Sequence, residues 1–176
     1  HSFGALSTLV AVGQSVGGVA APELREPRID AAIVYSPNKP RNMEAGPALS
    51  SVATPMLHFT GTEDSSPVDL ERTPWERTIP FQTIPGADQY LVWLLGGDHR
   101  VFSGRRLVAR QLKPSDPEHM QLIVATTVLF WRANLLDDQA AMAALCDLPV
   151  RVGTAAQGFV KAQRCGAPTP LPANNE

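Results

Sequence analysis

Three short apolar runs set the strongest limit on what this chain can fold into. Ile29 to Tyr35 ends in Ile33-Val34-Tyr35 and stops at Ser36-Pro37-Asn38. Met56-Leu57-His58-Phe59-Thr60 runs straight into Gly61, and Gln89-Tyr90-Leu91-Val92-Trp93-Leu94-Leu95 breaks at Gly96-Gly97. Runs that are apolar at nearly every position, rather than at every second one, suit strands buried on both faces, as in parallel sheets covered by helices. Helical patterns surround them. Leu6 to Val12 is an apolar run without proline that ends near Gly13, and Ser115-Asp116-Pro117-Glu118 is a capping box that opens a long helix over about Pro117 to Leu136. Leu122, Ile123, Val124, Val128, Leu129, Phe130 and Trp131 cover most of that helix's circumference, so it is expected to lie against the sheet. Asp138 to Cys146 reads as an amphipathic helix. A second capping box, Thr73-Pro74-Trp75-Glu76, predicts a short helix ending before Pro80. The alternation predicts an α/β protein with parallel strands near 29–35, 56–60 and 89–95 flanked by helices. Gly17 to Pro27 reads as a broken connector, and Lys39 to Ala53 as a loop with one helical turn at Ala48 to Val52. Residues 1–150 form the domain and 151–176 a C-terminal tail, frayed from Thr169 onward.

At 176 residues and 44% hydrophobic content the chain can bury one real core. A net charge of −2 without any Lys/Arg cluster excludes the electrostatic footprint of a nucleic-acid binder. No apolar run reaches the roughly 18 residues of a membrane span, and the first residues lack the charged start of a signal peptide. The only cysteines, Cys146 and Cys165, have no neighbouring Cys-x-x-Cys or His cluster that would hold a metal. A disulfide between them would pin the Pro-rich tail to the last helix and would favour a secreted or periplasmic protein; two reduced thiols would favour the cytoplasm.

The chemistry-bearing residues stand where these elements begin or end. His1-Ser2-Phe3-Gly4-Ala5 reads as a nucleophile elbow whose first glycine would precede His1: a serine on a strained turn just before a helix, with small residues after it leaving room for backbone approach. The Phe3 N–H would then be one oxyanion donor. Gly13-Gln14-Ser15-Val16-Gly17 matches the full Gly-x-Ser-x-Gly pattern, but Gly17, Gly18, Pro22 and Pro27 interrupt any helix starting at Ser15. Asp64 follows the second apolar run on Gly61-Thr62-Glu63-Asp64, where a carboxylate can reach sideways to orient a histidine or can merely cap a turn. His99 follows the third run, next to Gly96-Gly97-Asp98, where it can swing toward a nucleophile. His58 sits inside a strand and is expected to be packed, and Glu63 and Asp98 are rival acids.

The order Ser2, Asp64, His99 is that of the α/β-hydrolase triad. Through His1-Ser2-Phe3-Gly4-Ala5, Gly61-Thr62-Glu63-Asp64 and Gly97-Asp98-His99-Arg100-Val101-Phe102-Ser103-Gly104, residues 1 to about 136 resemble the C-terminal half of an α/β-hydrolase. They are most similar to the dienelactone-hydrolase-like and platelet-activating-factor-acetylhydrolase-like serine esterases. The resemblance implies a serine carboxylic ester hydrolase without cofactor or metal, with Ser2 as nucleophile, His99 as base and acid, Asp64 as orienting carboxylate and Phe3 N–H in the oxyanion hole. Dienelactone hydrolases proper use a cysteine where Ser2 stands. The resemblance also implies a small-molecule ester as substrate and an N-terminal half of the fold, contributed by another chain or segment. A non-catalytic subunit that binds a partner, and a peptidase or acyltransferase on the same scaffold, are the alternative functions.

Overall fold

The computed structural model describes residues 1–17, 19, 21–66 and 73–172, with no description of the side chains of Ala21, Pro22 and Leu107. The chain order is α1 (Phe3–Ala11), α2 (Ala21–Leu24), β1 (Ala32–Tyr35), α3 (Ala45–Leu49), β2 (Met56–Glu63), a 3-10 turn (Pro74–Thr78), α4 (Ile79–Thr83), β3 (Gln89–Asp98), α5 (Arg105–Val108), α6 (Asp116–Leu135), α7 (Gln139–Cys146), α8 (Leu148–Arg151) and β4 (Ala156–Lys161). The strands form one open sheet in the order β1-β2-β3-β4. The first three strands are parallel and β4 is antiparallel to β3.

Strand alternation divides the core between the two faces of the sheet. Val34 and Met56 pack on one side with Ala5, Leu9 and Val12 of α1, and with Leu49, Val52 and Ile84. Leu57, Phe59, Tyr90, Val92 and Leu94 pack on the other side with Phe130 and Ala133 of α6, Leu145 of α7 and Leu148 of α8. Helices on both faces explain why β2 is buried at every position from Met56 to Gly61 and β3 from Gln89 to Val92, rather than at alternate positions. Leu9 is fully buried, which stabilises the seating of α1 by about 2 kcal/mol and fixes the helix whose first turn follows Ser2.

Several elements differ from the sequence expectations. Residues 156–161 belong to the sheet and not to a tail; Gly158 permits this, because a Cβ there would stand 2.5 Å from the Leu148 carbonyl oxygen. Gly96 and Gly97 lie within β3, which runs on to Asp98, and β1 begins only at Ala32. Pro80 does not stop a helix: it occupies the first turn of α4, which continues from the 3-10 turn. Neither Thr73 nor Ser115 makes a side-chain cap, whereas Asp138 accepts from Ala141 N–H at the start of α7. The helical turn near residue 48 is α3, and the connector after Gly17 contains α2. The long helix turns only part of its apolar surface inward, leaving Val124 62% exposed and Val128 half-exposed. Pro67 of the acidic turn, Gly18 of the connector and residues 173–176 of the expected tail lie outside the described residues.

Cys146, at the end of α7, is bonded to Cys165, with Cα atoms 5.1 Å apart. The bond ties the segment after β4 to α7. Among the described residues no helix is long and apolar enough to cross a membrane.

Candidate active site

Parallel strands deliver the segments that follow them to the same rim of the sheet, and three such ends build the site. On β1, Ala32 N–H donates to the Pro55 carbonyl and Ser36 N–H to the Phe59 carbonyl, both toward β2. Alternation therefore turns the Tyr35 carbonyl to the outer edge of β1, where it accepts the Ser2 N–H at 2.9 Å. Ser2 is held at φ 58° and ψ −117°, outside the favoured wells of a non-glycine residue, at a cost of about 1–3 kcal/mol. The Tyr35 bond on one side and the Ala5 and Leu6 N–H groups donating to the Ser2 carbonyl on the other hold that conformation.

β2 and β3 come unusually close where they leave the sheet. The register shifts between Gly61 and Glu63, and a Cβ on Gly61 would stand 2.1 Å from the Gly97 carbonyl oxygen. Gly96, at φ 71°, then bends β3. This approach brings His99 beside Asp64. His99 Nδ1 lies 2.8 Å from Asp64 Oδ1, and His99 Nε2 lies 3.1 Å from Ser2 Oγ. The three residues are thus connected in series by hydrogen bonds, with the imidazole in the middle. Donation from Nδ1 to the carboxylate leaves Nε2 free to accept the serine proton.

Asp64 is fully buried and its oxygens are heavily engaged. Oδ2 accepts from Ser36 Oγ at 2.7 Å and Thr60 Oγ1 at 2.9 Å, while Arg77 Nε lies 3.0 Å from Oδ1. These contacts offset the desolvation of a buried carboxylate. Ser36, Thr60 and Arg77 carry no signal in the sequence. Ser36 and Thr60 look like ordinary strand-end residues, and Arg77 lies 13 positions beyond Asp64 with no motif around it.

The other predicted residues fall as follows. The Phe3 N–H, in the first turn of α1 beside Ser2, makes no hydrogen bond among the described residues, while the Phe3 ring is 77% exposed. Gly4 is not needed for close packing, since a Cβ there would meet nothing within 4 Å. Ser15 lies beyond the far end of α1, its N–H donating to the Ala48 carbonyl. His58 is buried in the sheet, with Nε2 2.7 Å from Gln89 Oε1, and desolvation lowers its pKa to about 4. Glu63 faces Lys113 at 3.1 Å. Asp98 turns to Arg106, whose Nη1 meets both of its oxygens at 2.7 Å, and to Lys113 at 3.0 Å. Its partial desolvation opposes ionisation, but bonds from Arg106 and Lys113 pull its pKa down to about 2. Arg106 also grips buried Asp116 at 2.6 and 2.7 Å, tying the segment after His99 to the start of α6. The His1 ring packs on His99 with centroids 4.6 Å apart.

Ser2 and His99 open onto a cleft of about 540 Å³ lined also by His1, Arg100, Ser103, Arg105 and Gln111. A cleft of similar size lies at the opposite rim, between Asp88, Lys161 and Arg164, without a comparable Ser-His-Asp series. No group of three or more His, Cys, Asp or Glu placed to hold a metal ion occurs among the described residues. Comparison with protein-family models, with curated proteins and with solved structures gives no match to this chain.

Proposed function

We propose that this chain carries the acyl-transfer centre of a serine carboxylic ester hydrolase of the α/β-hydrolase kind. The observation that carries the proposal is the series Ser2 Oγ, His99, Asp64 at 3.1 and 2.8 Å, with its serine on a strained turn at the start of a helix. Ser2 Oγ attacks the ester carbonyl while His99 Nε2 takes its proton. The tetrahedral oxyanion forms next to the Phe3 N–H, and His99 returns the proton to the departing alcohol. Water then attacks the acyl-serine by the same route, His99 again acting as base and then as acid. Asp64 holds the imidazole in the tautomer with hydrogen on Nδ1 and stabilises its charged form.

The proposal extends to a further strand on the outer edge of β1, contributed by another segment or chain. β1 pairs only with β2 among the described strands, and the Ser2 N–H to Tyr35 bond is already a rung on that outer side. A strand there would lead into Ser2 and could bring the second oxyanion donor.

The test is a fluorophosphonate probe, which reacts covalently with an activated serine. Labelling is expected on Ser2 in the full-length protein, with Ser2→Ala abolishing it and lowering ester turnover about 10³-fold. Labelling of Ser15 instead, or none at all with intact folding, overturns the proposal; the second outcome would point to a non-catalytic binding subunit.

A further inference from the structure

We infer that Arg77 is a positioning residue for this site, acting on His99 through Asp64; the inference rests on the function proposed above. Arg77 comes from the 3-10 turn, outside the sheet, yet its side chain is almost completely buried beneath the rim. Its guanidinium spans the segments after two strands. Nε donates to the Asp64 main-chain carbonyl at 2.5 Å with the carboxylate Oδ1 at 3.0 Å, and Nη1 donates to the Ser36 carbonyl at 2.9 Å and to Asn38 Oδ1 at 3.1 Å. Ser36 in turn donates its hydroxyl to Asp64 Oδ2 and has a positive φ of 51°, so the same fork steadies a strained residue and the carboxylate it serves.

The placement has a chemical consequence. Arg77 Nε and His99 Nδ1 both meet Asp64 Oδ1, so the two cationic groups stand no more than about 6 Å apart once His99 takes a proton. Asp64 shares its charge between a permanent cation and the imidazolium that forms during attack. Among the described residues, His1 packs on the His99 ring, Arg100 and Arg105 line the cleft with Ser2, and the Asp98 carboxylate is turned away to Arg106 and Lys113. A lysine cannot reproduce the contact, because one ammonium replaces the rigid fork that holds both segments.

The experiment follows fluorophosphonate labelling and p-nitrophenyl acetate turnover against pH in the full-length protein and in its Arg77→Gln and Arg77→Lys variants, with thermal unfolding recorded for each. For Arg77→Gln the expected result is a kcat lowered about tenfold or more and a slower labelling of Ser2, with KM changed by less than about twofold. Arg77→Lys, which keeps the charge but not the fork, should lose rate several-fold. A lower unfolding temperature with unchanged kcat and unchanged labelling rate in Arg77→Gln would make Arg77 merely structural and overturn the inference. Should Arg77→Gln not fold, Arg77→Lys decides, and wild-type rates in it overturn the inference equally. A wild-type protein that the probe does not label sinks the proposed function itself, whereas a labelled wild type with indifferent variants sinks only the role of Arg77.

Discussion

Acid should weaken this fold through His58, well before Asp98 at the rim is protonated. In the folded chain His58 is completely buried, bonded to Gln89 on one nitrogen and set edge-on to Phe81, and desolvation brings its pKa from 6.5 to about 4. In the unfolded chain it titrates near 6.5. Between those values the unfolded state takes up a proton that the folded state refuses, so stability is complete above pH 6.5, falls as the pH drops and levels off below about 4. At about 1.4 kcal/mol for each pH unit of that window, the loss reaches about 3 kcal/mol, a large part of the margin of an ordinary domain. Urea unfolding of the oxidised protein at intervals across the window measures it directly. Asp98 does not contribute there, since its loss belongs below the ordinary carboxylate range, toward about 2. His58→Gln, which retains a partner for Gln89 but cannot titrate, should lack this slope, so that the wild-type and variant curves diverge as the pH falls. Parallel wild-type and variant curves would mean that His58 is solvated or charged in the fold, and the reasoning from its burial would fail.

Gly61→Ala should be among the most damaging single-methyl changes, because its Cβ would meet the Gly97 backbone at 2.1 Å. Calorimetry should show a loss of at least about 2 kcal/mol, and any folded fraction should label slowly with the fluorophosphonate, since the strand ends bearing Asp64 and His99 must part. Reduction of Cys146–Cys165, or Cys165→Ala, should lower stability by about 3 kcal/mol for a closed loop spanning 19 positions while leaving the labelling rate of the folded protein unchanged. Equal unfolding midpoints for the reduced and oxidised protein would refute this.

What could be read from the sequence depended on whether a local pattern carried it. β2 and β3 announce themselves because most residues of Met56 to Thr60 and of Gln89 to Leu95 are apolar, as burial on both faces favours. Ala156-Gln157-Gly158-Phe159-Val160-Lys161 has no such mark. As an antiparallel edge strand it tolerates a glycine and two polar residues, and its pairing with β3 is a long-range choice. The choice between Glu63 and Asp64 turned on the register shift at Gly61, which sends one carboxylate out to Lys113 and the next inward. Only the resemblance to esterases favoured Asp64 beforehand. Arg77 illustrates the limit: a buried ion pair between a 3-10 turn and a strand end exists only after both have been folded into place. The capping boxes marked both helix starts, since Thr73 and Ser115 stand at the N-cap positions, although neither side chain forms the cap bond.

The sheet segregates its duties between two rims. Ser2, Asp64 and His99 gather with the C-terminal ends of β1, β2 and β3, while Asp30, Ala53, Pro55 and residues 85–88, from the segments entering those strands, line the opposite end together with Lys161 and Arg164. Among the described residues, none at that lower end is hydrogen-bonded to Ser2, His99 or the Asp64 carboxylate, yet Lys161 caps the carbonyls of Phe81, Gln82 and Ile84 there and Arg164 is paired with Asp88. An engineer thus has two separate handles on one molecule. Tethers, reporter insertions or surface attachment belong on the lower end, where any penalty is registered as melting temperature, and changes of selectivity belong on the upper one, where the same sheet serves as a fixed bench for altered loops.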